Sequence, residues 1–154
     1  MKGDEKVIEC LNAALRSELT AVSQYWLHYR LQEDWGFGRI AAKSRAESIE
    51  EMHHADKLIE RVLFIEGLPN LQELGKLLIG ENVPEMLQGD LQMLGGMRTR
   101  LQGAIALCEE RRDFISRDEL NEVLEETEEQ IDWIETQRWL IEHTGLENYL
   151  QSQF

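Results

Sequence analysis

Apolar residues recur at intervals of three and four along four long stretches of the chain, the period of helices that bury one face. From about Glu5 to Gln32 the stripe runs through Ile8, Leu11, Leu15, Leu19, Val22, Trp26 and Tyr29. Gly36 and Gly38 interrupt it, and a second stretch runs to about Ile65. Within that stretch, Glu47 to Gly67 has no proline, a single glycine at its end and many strong helix formers. At about 100° per residue, Glu47, Glu51, His54, Ala55, Leu58, Val62 and Ile65 share one side of it. Arg45, Ile49, Met52, Asp56 and Ile59 share another, about a quarter turn or more away. Glu51 and Met52 therefore cannot serve the same centre: if one faces a core, the other faces a partner.

A third stretch starts near Pro84 and shows Leu87, Leu91, Leu94, Met97, Leu101, Ile105 and Cys108. Gly95 and Gly96 inside it cost about 1 kcal/mol each relative to alanine, which predicts local looseness and no break. The fourth opens near Ser116 on the cap pattern Ser116-x-x-Glu119, carries Leu120, Val123, Leu124, Thr127, Ile131 and Ile134, and is closed by Gly145. Leu146 to Phe154 reads as a short extra helix. Between the second and third stretches, Gly67, Pro69, Gly75, Gly80 and Pro84 mark a crossover of roughly 15 residues, too long for a hairpin. The predicted fold is all-α: a ferritin-like four-helix bundle with one long crossover and a short C-terminal helix, forming one domain over residues 1–154.

Charge narrows the function. With 30 acidic against 16 basic side chains the net charge is −14, which argues against nucleic acid and favours attracting cations. The opening MKGDEKVIEC lacks the apolar run of a signal peptide, and no stretch is apolar for long enough to span a membrane. The expected location is the cytoplasm. Cys10 and Cys108 have no metal-ligand spacing and read as buried apolar thiols of a reducing compartment.

Chemistry enters with Glu51-x-x-His54, a spacing that sets a carboxylate and an imidazole side by side on one helix face. Four-helix bundles build di-iron carboxylate sites from two such motifs plus one Glu from each of the other two helices. Hard oxygen ligands bridge two cations and balance their charge. Glu18, beside the apolar stripe of the first helix, is costly there unless paired or bound to metal. Glu18, Glu51 and His54 make half of such a site.

The segments QYWLH, SIEEMHHADKLIERVLFIEGLPNLQELGKLLIGE, FISRDEL, QIDWIE and GLENYLQSQ, with the opening MKGDEKVIECLN, resemble the bacterioferritins over essentially the whole chain. The resemblance implies an iron-storing shell of 24 subunits, with haem b at two-fold subunit interfaces held by a methionine from each partner. Met52 matches that methionine, and Leu19, Val22, Trp26 and Ile49 would line the haem pocket. Glu18, Glu51 and His54 match ferroxidase ligands. The other half departs from the family: Leu94 replaces a bridging Glu, and Thr127 and Gln130 replace the second Glu-x-x-His. The nearby Glu125, Glu126, Glu128 and Glu129 lie to either side of position 127 and are not expected to substitute.

The chain thus reads as a haem-binding subunit that is impaired as a ferroxidase alone. It would co-assemble with a ferroxidase-competent second subunit and receive electrons from a small ferredoxin. Two rival readings stay open: a self-sufficient ferroxidase with an unrecognised carboxylate, and a structural shell subunit without haem.

Overall fold

The Asp4 carboxylate accepts hydrogen bonds from the backbone N–H groups of Lys6 and Val7, and from this cap the first helix, α1 (Glu5–Asp34), extends. A computed structural model of the chain describes residues 1–154 and contains five helices. After α1 come α2 (Gly38–Phe64), α3 (Val83–Glu110), α4 (Phe114–Thr144) and α5 (Leu146–Gln151). The four long helices and the short C-terminal one agree with the sequence periodicity. α3 continues as α-helix through Gly95 and Gly96. No helix is long and apolar enough to cross a membrane.

Side-chain pairs fix the directions of the helices. Ser48 on α2 bonds the Val22 carbonyl, and Arg45 lies over Trp26, so α1 and α2 run antiparallel. Gln24 to Asp90 and Arg100 to Ser17 set α3 antiparallel to α1, and Arg98 to Glu128 with Arg117 to Glu109 set α4 antiparallel to α3. The link from α2 to α3 must therefore travel the length of the bundle.

That crossover spans residues 65–82 and is somewhat longer than its glycines and prolines suggested. It is fastened to one polar face of α1 at intervals of four. Asn12 bonds Leu68 and Asn70, Arg16 bonds Leu74, Thr20 accepts from Gly75 N–H, Gln24 from Leu78 N–H, and His28 Nε2 from Gly80 N–H. These partners satisfy backbone groups that carry no regular secondary structure. At Gly89 a Cβ would stand 2.6 Å from the Leu78 carbonyl oxygen, so only glycine lets the crossover pass this close to α3.

Two expectations are corrected here. His28, which has no partner at ligand spacing in the sequence and so reads as a surface or interface histidine, is fully buried and pairs with Asp90 at 3.0 Å. The cap of α4 is Asp113 and not Ser116; the Asp113 carboxylate accepts from Ser116 N–H at 3.0 Å and from its hydroxyl at 2.7 Å.

The apolar interior falls into two clusters. One gathers Leu11, Leu15, Leu58, Val62, Leu101, Leu120 and Val123 with their neighbours, the other Tyr25, Ile40, Leu87, Leu94, Met97, Ile134 and Tyr149 with theirs. Between them, at mid-bundle, lie Glu18, Glu51, His54, Thr127 and Gln130, all buried. α1, α2 and α4 each give polar groups to this layer, while α3 presents Leu94 and Met97.

Candidate metal centre

Helix geometry places Glu51 and His54 on the inner face of α2, and the antiparallel register of α1 brings Glu18 opposite them. Glu18 and Glu51 have no solvent exposure, and His54 is 4% exposed. His54 Nδ1 stands 3.5 Å from a Glu18 oxygen and 3.7 Å from a Glu51 oxygen. The ligand atoms of the three side chains lie within 4.8 Å of one another. The structure brings these three side chains together.

Both Glu18 oxygens, Glu51 Oε2 and His54 Nδ1 have no hydrogen-bond partner although they are buried. Leaving one buried polar atom unsatisfied costs about 1–3 kcal/mol, and four in one place, all potential ligand atoms, form an arrangement that could hold a cation. Burial pushes the Glu18 carboxyl up to about 7. Burial, with the neighbouring Glu18 charge, pushes Glu51 well above the usual carboxylate range. A divalent cation between them would reverse that preference and restore two ionised carboxylates, which balance its charge.

The second half of a di-iron site does not fit these residues. Leu94 is fully buried in the apolar cluster and offers no donor atom. The Thr127 hydroxyl donates to the Val123 carbonyl at 2.8 Å and is engaged within its own helix. Gln130 donates its amide N–H to Glu51 Oε1 at 2.6 Å and accepts from the Tyr25 hydroxyl at 2.7 Å. Gln130 thus supports a ligand. The residues suit one cation and not two.

Glu126 reaches further than its helical position suggested. Its carboxylate meets His54 Nε2, the ring nitrogen facing away from Glu18, and with Glu50 it forms a second acidic group around that histidine. The long glutamate side chain swings across from α4, so the helix angle of its Cα was a poor guide. It is not grouped with the Glu18–Glu51 pair and fills none of the three missing ligand positions.

On the outward side of α2, Met52 is 43% exposed. The register set by Arg45 over Trp26 and Ser48 on Val22 brings Met52 level with Leu19. Leu19, Val22 and Ile49 are half-buried and Trp26 is 42% exposed, so a thioether sits in an open apolar strip made by α1 and α2. Such a strip suits an apolar planar group shared with a second surface, and these residues fit a haem bound from one side.

The sequence matches the family model for the ferritin-like domain over residues 8–144. It is 51% identical to a bacterioferritin of Brucella melitensis biotype 1 over 151 residues, covering 98% of this chain and 94% of that protein. It is also 51% identical to a bacterioferritin of Rhodobacter capsulatus over 149 residues, with 97% and 92% covered. A bacterial ferritin of Pseudomonas aeruginosa is 46% identical over 154 residues, with 99% of each chain covered.

Proposed function

The chain belongs to the bacterioferritins, within the ferritin-like domain family, and on that premise we propose that it is an iron-storage shell subunit that carries haem but does not oxidise iron by itself. The observation that carries this reading is the split between two faces of α2. The outward face keeps a thioether in an apolar strip, while the inward face keeps Glu18, Glu51 and His54 opposite a wall in which Leu94, Thr127 and Gln130 offer no anionic ligand.

In this reading two copies meet across the α1–α2 face of a 24-subunit shell, and each Met52 offers its thioether sulfur to one haem b. Leu19, Val22, Trp26 and Ile49 exclude water from it. Met52 of each copy would hold the haem, which would supply electron transfer and not oxygen activation. Electrons from a docked ferredoxin would cross the shell this way to reduce stored iron for release. Ferrous iron is the cargo, and the net charge of −14 draws cations to the protein. A second subunit with a full ligand set would oxidise incoming iron in a mixed shell.

The half site serves this subunit as a single-cation seat. Glu18 and Glu51 supply two carboxylate charges and His54 Nδ1 a neutral nitrogen, while Gln130, locked by Tyr25, orients Glu51. Glu126 is the one feature in favour of a self-sufficient ferroxidase, because it adds a further carboxylate near His54; it sits on the far nitrogen, where it cannot share a metal with Glu18.

Expression with ample haem, followed by absorbance and size-exclusion measurements, tests the haem assignment. Native chain should show a bis-methionine haem spectrum, and Met52→Leu should lose it while the assembled size is unchanged. Haem retained by that variant with an unaltered spectrum would contradict the assignment.

A further inference from the structure

The two ring nitrogens of His54 meet different surroundings. Nδ1 is buried without a hydrogen-bond partner, 3.5 Å from a Glu18 oxygen and 3.7 Å from a Glu51 oxygen. Nε2 meets the carboxylate of Glu126, whose side chain comes from α4 and stays 40% exposed. A neutral imidazole has one N–H donor and one acceptor nitrogen, and its partners decide which is which. An ionised carboxylate can only accept. The Glu126 contact therefore puts the proton on Nε2 and leaves the Nδ1 lone pair facing Glu18 and Glu51.

We propose that Glu126 is a positioning residue: it holds His54 in the Nε2–H tautomer, so that Nδ1 is offered as a ligand to a divalent cation between Glu18 and Glu51. This rests on the reading of those three side chains as a single-cation seat, and it adds a group that acts on the seat without lining it. Without Glu126 the ring has a second choice. Its proton can sit on Nδ1 and be donated to Glu18 or Glu51, which closes the seat on itself and removes its only nitrogen ligand. Metal-binding histidines commonly donate their other N–H to a carboxylate, and loss of that partner costs about 10–100-fold in metal affinity.

Glu50 separates position from charge. Its carboxylate belongs to the same acidic group as His54 Nε2 and Glu126, but it pairs with His53, at 3.8 Å, and not with the His54 ring. Removing the Glu50 charge should leave the tautomer alone. Removing the Glu126 acceptor should not.

The test reads the tautomer directly, by solid-state NMR of the sedimented full-length protein, labelled with heavy nitrogen at its histidines and freed of metal with a chelator at neutral pH. A His54→Asn variant assigns the signals. Native protein should show His54 with Nε2 protonated and Nδ1 bare. Glu126→Leu should shift the proton toward Nδ1 and weaken cobalt(II) binding about tenfold by titration calorimetry. Glu126→Gln, whose amide oxygen still accepts from Nε2–H, should keep the native tautomer and most of the affinity, and Glu50→Gln should behave like native protein. An Nδ1–H ring or an imidazolium in the native protein would overturn the proposal, as would an unchanged tautomer in Glu126→Leu or an affinity loss in Glu126→Gln as large as in Glu126→Leu. The tautomer is read without metal, so it decides the proposal by itself. Cobalt(II) binding that Glu51→Ala leaves unweakened would instead overturn the cation seat.

Discussion

Gln130 donates its amide to Glu51 across 2.6 Å, and the Tyr25 hydroxyl fixes which way that amide points by donating to its oxygen at 2.7 Å. A neutral side chain thus stands where the family's motif has a histidine ligand, and it stabilises the ionised form of the carboxylate it touches. Groups that support a ligand in this way are commonly worth about 10–100-fold in metal affinity. Gln130→Leu should therefore weaken cobalt(II) or zinc(II) binding by about tenfold, read by titration calorimetry. Unchanged affinity would mean that Glu51 does not bind the ion.

Proton linkage at the same site has a definite sign. Burial raises Glu18 from an ordinary 4.5 to about 7, and Glu51 moves in the same direction. Between the unfolded and folded values the metal-free folded chain holds protons that the unfolded chain has lost. Its stability should thus fall as pH rises from about 4.5 through about 7. A cation needs the ionised carboxylates, so its affinity should rise over the same window with release of protons. Thermal melts with chelator and with cobalt(II) across this window should diverge as pH rises, and Glu18→Gln should flatten the metal-free slope. Curves that stay parallel would contradict the cation seat.

Three substitutions should supply what the second half lacks. Leu94→Glu, Thr127→Glu and Gln130→His together should create a fast, oxygen-dependent phase of ferrous oxidation, measured by stopped-flow absorbance. The gain has a structural cost, since Leu94 is fully buried in the apolar cluster. A carboxylate there should lower metal-free stability by about 3 kcal/mol, and bound metal should recover part of it. Chemical denaturation with and without metal gives both numbers.

At the other end of α4, Asp113 accepts from Ser116 N–H and hydroxyl and from Arg61 Nη2 at 2.8 Å. Asp113→Ala removes a helix cap and an ion pair with little solvent around it, and should cost about 2 kcal/mol. Ser116→Ala keeps the cap and should cost about 1 kcal/mol or less. Urea titration ranks the two.

The bundle was legible because periodicity alone separates helix faces, and Glu51 and His54 because three residues along a helix is nearly one turn. Glu18 was legible as a carboxylate too close to an apolar stripe. What escaped the sequence depends on contacts between distant segments. His28 looks like any solvated histidine until the crossover returns to cover it and Asp90 pairs with it. Its spacing of four from Gln24, Thr20, Arg16 and Asn12 was a signal available in the sequence, since a polar stripe that regular on a core helix calls for a polar partner. Glu126 escaped because the reach of a glutamate can cover the offset of its Cα. The Asp113 cap was missed in favour of a pattern three residues later that satisfies the same rule.

Ferrous oxidation by the chain expressed alone tests the central claim most directly. Ferrous iron is added in air at about two ions per subunit, the capacity of a complete di-iron site, and absorbance is followed on the stopped-flow timescale with haem present. No phase faster than background oxidation is predicted, because Leu94, Thr127 and Gln130 supply no ligand for a second ion. A fast phase that scales with subunit concentration and vanishes in Glu51→Ala would contradict the account.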